Sequence, residues 1–376
     1  MALLGMAVVM VHSASLSVGD GGADLRALAT SRHTLFAGAA VLAMLLASKV
    51  NLVHFMRLRG LLNPIPMLLL AALTLTLLTR VPGLGHTAHG ATRWLRIPIG
   101  EMGFTFQPSE LLKFALVLAV AWWCARSRGV MHQFGAGLAP ALVVVGLVCG
   151  AVAVDDLGTA VLIGLVACIV LVAGGARVWH LAMLSPIAAI GGVGFILAAP
   201  YRMQRVTTFL DPFSQPDGSS YQIIQGLVAI AEGGTYGRGL GQGVQKFDYL
   251  PTDTSDMLFA IICEELGLVG AAAVMALLLV VLWTGLVLLI RSRDPFSRLV
   301  ATGVLATVGL QAMFNIAVVT VVVPTKGIAL PLLSAGGTGW IVTAAALGLV
   351  ASLDETSRRD GDLEGEGLPD SKREAP

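Results

Sequence analysis

The chain has 376 residues, 56% of them hydrophobic and 12% charged, where soluble domains carry about 45–50% and about 25%; a soluble globular enzyme is excluded. Net charge is +1, which gives no electrostatic footprint for nucleic acid, and no nucleic-acid partner is expected. Cys124, Cys149, Cys168 and Cys263 lie in or beside apolar runs without C-x-x-C spacing, a pattern of small buried residues rather than of a disulfide scaffold or a zinc site.

A helix needs about 20 largely apolar residues to cross a bilayer core. Ten runs approach that length, near 1–11, 34–53, 61–79, 108–125, 138–154, 158–173, 183–199, 266–290, 299–323 and 334–353. They predict an all-α integral membrane protein with about ten transmembrane helices, residues 1–353 forming one polytopic domain. The first run is too short to span. It opens directly on Met1 and reads as a helix whose cytoplasmic lead has been clipped, in preference to a signal peptide, because no basic n-region precedes it. Lys49, Arg57, Arg59, Arg126, Arg128, Arg177, Arg291, Arg293, Arg298, Arg358 and Arg359 crowd into one set of alternate loops. By the positive-inside rule that side is cytoplasmic. Both termini are then inside, and a large extracytoplasmic loop, about 200–256, joins the seventh and eighth helices. The stretch from Asp354 to Pro376 carries eight acids and four bases and reads as a disordered acidic cytoplasmic tail.

Along the chain, the outward loop from Arg80 to Gln107 holds an amphipathic-looking stretch, Thr92-Arg93-Trp94-Leu95-Arg96-Ile97, whose Trp and Arg suit the headgroup level. In Gln107-Pro108-Ser109-Glu110-Leu111-Leu112-Lys113, proline suits the first helical position and Glu110 the positive helix start. Glu110 and Lys113 are three apart on one face, spaced either to lock the helix as an ion pair or to help hold a substrate phosphate. Asp155 and Asp156 occupy the shortest outward turn, where a turn and a helix cap account for them. Asp156 is also placed to bridge to Lys326, the one base of the last outward loop, as a structural ion pair.

The large loop contains five glycines in nine residues, Gly233 to Gly241, a composition that permits tight turns and close backbone approach to an anion. It ends on Thr252-Asp253-Thr254-Ser255-Asp256, where the chain re-enters the membrane. From Met257 to Ile290 run 34 mostly apolar residues, about 51 Å as one helix, so the first turns project to the outer surface and Asp256 stands at the rim. Its carboxylate has two readings: a complement to the helix dipole with Ser255 or Thr254 capping, or a general base facing water on one side and lipid on the other. Glu264 and Glu265 lie two turns deeper; being adjacent, at most one can face the same cavity.

Taken in order, Gly90-Ala91-Thr92-Arg93-Trp94, Gln107 to Lys113, Asp156-Leu157-Gly158-Thr159, Tyr221-Gln222, Gly239-Leu240-Gly241, Tyr249-Leu250-Pro251 with Asp256, Glu264-Glu265-Leu266-Gly267 and the run from Lys326 to Gly337 resemble the SEDS family of FtsW, RodA and SpoVE proteins. Gln245 to Pro251 and Pro324 to Gly327 are nearer the FtsW, or division, branch. Where that family usually has His-Thr-Asp-Phe, this chain has Thr254-Ser255-Asp256-Met257. The resemblance implies a peptidoglycan glycosyltransferase that polymerises lipid II at the outer face of the bacterial cytoplasmic membrane, by inversion and with undecaprenyl pyrophosphate leaving. Asp256 corresponds to the family's essential acid. Arg93, Lys113, Arg202, Arg205 or Lys246 would stabilise pyrophosphate charge, and Trp94, Glu110 and Glu264 would line the substrate site. A divalent cation, Mg2+ or Mn2+, is a candidate helper, and no organic cofactor is implied. A class B penicillin-binding protein, a transpeptidase, is the implied partner, together with other divisome or elongasome membrane proteins. The competing functions are a lipid II flippase or other transporter, for which no internal repeat is visible, and a non-catalytic division scaffold.

Overall fold

The computed structural model describes residues 1–14, 31–51, 54, 63–88, 91–99, 102–213, 218, 220–245, 256–324, 327–334 and 337–366. Ten apolar helices are found among them, each close to an expected run: α1 (Ala2–Ala14), α2 (Arg32–Ala47), α3 (Pro64–Leu78), α4 (Pro108–Arg126), α5 (Ala139–Ala153, entered through a π turn at Phe134–Leu138), α6 (Leu157–Ala173), α7 (Val178–Leu197), α10 (Leu258–Arg291), α11 (Pro295–Val319) and α12 (Thr338–Glu366). Two more, α8 (Pro200–Leu210) and α9 (Tyr221–Gly233), occupy the large loop. Their starts follow local chemistry. Asn63 accepts from Ile65 N ahead of Pro64, Asp156 from Thr159 N, and Asp294 from Ser297 N ahead of Pro295, each satisfying an amide that the first helical turn leaves open.

Side chains of α4, α6 and α11, among them Leu112, Leu116, Ile163 and Val304, share one core with α3 and α5. A second core joins α1, α10 and α12 through Met10, Ile261 and Trp340. In α7 no residue is buried; its apolar surface is turned outward all round, as for a helix whose neighbour is lipid. The end of α12 differs from expectation. The helix continues past Leu353 to Glu366, thirteen residues into the segment read as disordered, through helix-favouring Glu355, Arg358 and Arg359 with no proline before Pro369; residues 367–376 lie outside the described residues.

Two further expectations are corrected. The stretch around Arg93 is a strand: β1 (Gly85–Ala88), β2 (Ala91–Ile99) and β3 (Met102–Phe106) form an antiparallel meander in which Leu95 faces Phe106 and Arg96 faces Thr105. Its β-branched and aromatic residues favour the extended form. The two-residue alternation sends Arg93 to the face opposite Trp94 and Arg96, leaving Arg96 exposed while Arg93 is turned inward.

The long helix α10 is not continuous, because Gly267 adopts φ 65° and ψ −161°, a conformation accessible to glycine. The glycine-rich loop docks into this break. Gly234 and Thr235 carbonyls accept from Leu268 N (2.9 Å) and Val269 N (3.2 Å), while Arg238 N and Gly239 N donate to the carbonyls of Glu264 (3.0 Å) and Glu265 (2.9 Å). A Cβ on Gly237 would fall on the Glu265 carbonyl, and one on Gly267 on the Gly237 amide. The close approach read from these glycines is therefore made to a helix backbone. Alanine at Gly267 or Gly237 should cost about 1–3 kcal/mol from backbone strain, with the steric overlap in addition, and lower the melting temperature of the purified protein. Alanine at Gly191 on α7, where a Cβ meets nothing within 4 Å, should leave it unchanged.

Candidate active site

Asp256 sits in the turn just before α10 and does not cap it: Met257 holds the cap position without a side-chain bond. Its carboxyl lies under the extended strip 327–330, close enough that a Cβ on Gly327 would stand 2.7 Å from Oδ2 and 3.6 Å from Arg93 Nη1. Burial pushes the carboxyl up from 3.8 to about 6, with Asp156 adding to the rise and Arg93 and Arg205 opposing it. Four elements thus converge: the start of α10 with Asp256, the start of α6 with Asp156, β2 with Arg93 and α8 with Arg205.

Arg93 is the hub. Its Nε and Nη2 donate to the Asp155 carbonyl at 3.1 and 2.8 Å, and Nη1 pairs with Asp156 Oδ2 at 3.1 Å. Asp156 Oδ1 accepts from Thr159 N at 2.9 Å, so one carboxylate caps α6 and meets the arginine; the capping expectation holds. Arg80 pairs with Asp155 Oδ2 at 2.9 Å, a second strap from the start of the sheet loop to the same turn. Among the described residues Asp156 pairs with Arg93, brought there by the strand alternation; the expected bridge to Lys326 falls outside the described residues, as does Lys246.

Glu110 and Lys113 do pair, at 3.0 Å, and Lys113 is 2% exposed. Its ammonium also donates to Gln311 Oε1 at 2.7 Å, which fits the locking role and leaves the ammonium walled off from solvent. Arg202, expected among the phosphate-binding cations, is engaged by backbone: Nη1 and Nη2 donate to the carbonyls of Phe195 (2.9 Å) and Val154 (3.0 Å), helix-end acceptors otherwise without intrahelical partners. Arg205, one turn further along α8, is exposed. Glu264 is fully buried, and Oε1 accepts from Val244 N (2.6 Å) and Gln245 N (3.3 Å). Glu265 accepts from Gly241 N at 3.1 Å and from the Ser13 hydroxyl at 2.7 Å. Both acids hold the glycine-rich loop, because that loop crosses α10 at its break and brings amides to both faces.

Sequence reasoning missed Gln311 and Asn315, which are 5% and 1% exposed. Gln311 Nε2 donates to Ala329 O at 2.8 Å, and Asn315 Nδ2 to Asp256 O at 2.9 Å and Ile328 O at 2.7 Å. Two amides four apart in the otherwise apolar second half of that helix, residues 308–319, were the available signal.

The donor set of the described residues does not make a site for a resident divalent cation. Among the described residues no three His, Cys, Asp or Glu side chains converge, and the Asp256 and Asp156 carboxylates are faced by guanidinium groups that supply the positive charge there.

A family model described as Cell cycle protein, for FtsW, RodA and SpoVE, matches residues 1–359. The chain belongs to this family. It is 37% identical over 362 residues to stage V sporulation protein E of Bacillus subtilis, covering 95% of each chain. To the probable peptidoglycan glycosyltransferase FtsW of Geobacter sp. strain M18 it is 37% identical over 292 residues, 77% of this chain and 78% of that one. Among solved structures, a chain of a peptidoglycan synthase complex that coordinates polymerization and crosslinking superposes with a TM-score of 0.72 at 26% identity, covering 96% and 98% of the two chains. The rod shape determining protein RodA of Thermus thermophilus shares the fold, with a TM-score of 0.63 at 22% identity over 95% and 94%. The predominantly helical, multi-pass membrane architecture of this family is the one built above.

Breaking the buried pair from one side is the more damaging change. Lys113→Met leaves Glu110 without its cation and should lower stability by about 3–5 kcal/mol. The double change Glu110→Gln with Lys113→Met should recover much of that loss in the same thermal unfolding measurement.

Proposed function

We propose that the chain is a peptidoglycan glycosyltransferase that polymerises lipid II at the outer face of the bacterial cytoplasmic membrane, with Asp256 as general base. The observation that carries this reading is a carboxyl at the start of a membrane helix, close beneath Gly327 and set among Arg93, Arg205 and Asp156, in a chain of this family, with burial pushing its affinity for a proton up to about 6. A base with that affinity is mostly ionised at neutral pH, yet holds a proton more readily than an ordinary carboxylate.

In the reaction, Asp256 takes the proton of the sugar 4-hydroxyl of the incoming lipid II as its oxygen attacks the anomeric carbon of the growing strand. The new C–O bond forms on the face opposite the leaving group. The bond to undecaprenyl pyrophosphate breaks with its electron pair on the phosphate, and the configuration inverts. Arg205, the exposed guanidinium in the field of the acid, is the cation offered to that developing charge. Arg93 is anchored to Asp155 and Asp156 and sets the local potential from a fixed position.

The proposed setting follows the same logic. With the basic loops inside, both termini are cytoplasmic and the sheet, α8, α9 and Asp256 face outward. A class B penicillin-binding protein is the proposed partner, crosslinking strands as they emerge. The deeper charges favour polymerisation over transport: Glu110, Lys113, Glu264 and Glu265 are bound to one another, to buried polar side chains or to backbone amides, which suits anchoring rather than a polar path across the bilayer.

Asp256→Ala should lower lipid II polymerisation by the purified protein about 10²–10⁴-fold, the usual contribution of a general base, with its melting temperature retained. Wild-type rates in a folded Asp256→Ala protein would remove the assignment.

A further inference from the structure

The side chain nearest to Asp256 in function carries no charge. Asn315 is almost fully buried on α11, and an asparagine amide has two N–H donors. Its Nδ2 donates to two carbonyls from different parts of the chain. One, Asp256 O at 2.9 Å, belongs to the turn that holds the acid. The other, Ile328 O at 2.7 Å, belongs to the strip that lies over the carboxyl. In that strip Gly327 has just enough room: a Cβ there would stand 2.7 Å from Asp256 Oδ2, closer than an ordinary van der Waals contact. One turn away, Gln311 holds the next carbonyl of the strip, at Ala329, but makes no bond to the acid's turn.

We propose that Asn315 is the positioning residue of Asp256, tying the turn that carries the acid to the strip that roofs it and so fixing how much water reaches the carboxyl. The proposal rests on Asp256 being the base. Two carbonyls drawn onto one amide set the gap between acid and roof. Without the amide, among the described residues the side-chain bond joining the strip to α11 is that of Gln311, and no side chain of α11 is bonded to the turn. The charged groups that act on Asp256 are Asp156 from α6, Arg93 from β2 and Arg205 from α8; none is bonded to Asn315, so removing the amide changes solvation and aim rather than charge. Burial is also the largest of the influences on the Asp256 carboxyl, the one that a loosened roof would weaken.

The test is an infrared titration of the Asp256 carboxyl in the full-length purified protein, taken as the difference from the same background carrying Asp256→Asn. Asn315→Ala, Asn315→Ser and Gln311→Ala are compared with wild type. Asn315→Ala should move the midpoint from about 6 toward the ordinary value near 4, Asn315→Ser should fall between, and Gln311→Ala should stay at the wild-type value. Lipid II polymerisation should show kcat reduced about 10-fold or more in Asn315→Ala with KM little changed, since a misaligned base loses rate rather than binding. An unmoved midpoint in either folded Asn315 variant overturns the proposal, and so does an equal movement in Gln311→Ala, which would mark general loosening of the helix. If Asn315→Ala does not fold, Asn315→Ser decides alone. Because the titration needs no turnover, failure of the polymerase reading appears separately, as absence of glycan from the wild type.

Discussion

Placing a partly buried carboxylate among charges of both signs is the constraint around which the rest of this structure is arranged. An isolated buried carboxylate is strongly disfavoured, and the group responds by holding its proton. Here the rise stops at about 6 because two guanidinium groups oppose the burial and the neighbouring Asp156. That balance leaves a carboxyl ionised at neutral pH but still basic enough to accept a proton from a hydroxyl. It also requires Arg93 to stay in place, which the small sheet provides. β2 carries Arg93 inward, the turn between α5 and α6 takes three of its donors, and Arg80 straps the same turn from the other end of the loop.

Beneath this layer the polar groups inside the helical bundle form a connected support. Lys113 is neutralised by Glu110 and steadied by Gln311; Gln311 and Asn315 in turn hold consecutive carbonyls of the strip over the acid. Such groups are costly at membrane depth unless each finds a partner, and here the partners are the irregular segments that the helices alone could not satisfy. The break in α10 follows the same rule. Gly267 frees backbone groups in the middle of an apolar helix, and the glycine-rich loop satisfies them with its own backbone. The helix after the break spans, while the part before it is fixed by the loop that leads toward Asp256.

Much of this was legible in the sequence. Apolar runs located ten helices, and Pro108, Asp156 and the Glu110–Lys113 spacing announced a helix start, a cap and an ion pair that the structure contains. What was not legible depended on long-range contacts. The Thr92–Ile97 segment has no clean two-residue alternation, and it reads as a membrane-surface segment until β1 and β3 are seen beside it. Arg93 meets Asp156 because a strand, not a helix, sets its direction, while Lys326 lies outside the described residues. The glycines were read as sites of close approach to an anion, and the partner the structure brings to them, the backbone of α10, lies about 30 positions on in the chain, beyond the reach of local pattern. Arg202 and Glu264 show a related limit: sequence marks a charge as available, whereas the structure engages these two with helix-end carbonyls and loop amides.

The central claim is that a desolvated Asp256 does the chemistry, and the pH dependence of lipid II polymerisation tests it most directly. The reacting form is the carboxylate, so the rate should fall as pH drops through about 6, close to tenfold for each unit below. The more acidic limb should be absent from the residual activity of Asp256→Asn. A wild-type rate that holds level down to about pH 4, where an ordinary carboxylate titrates, would contradict the account.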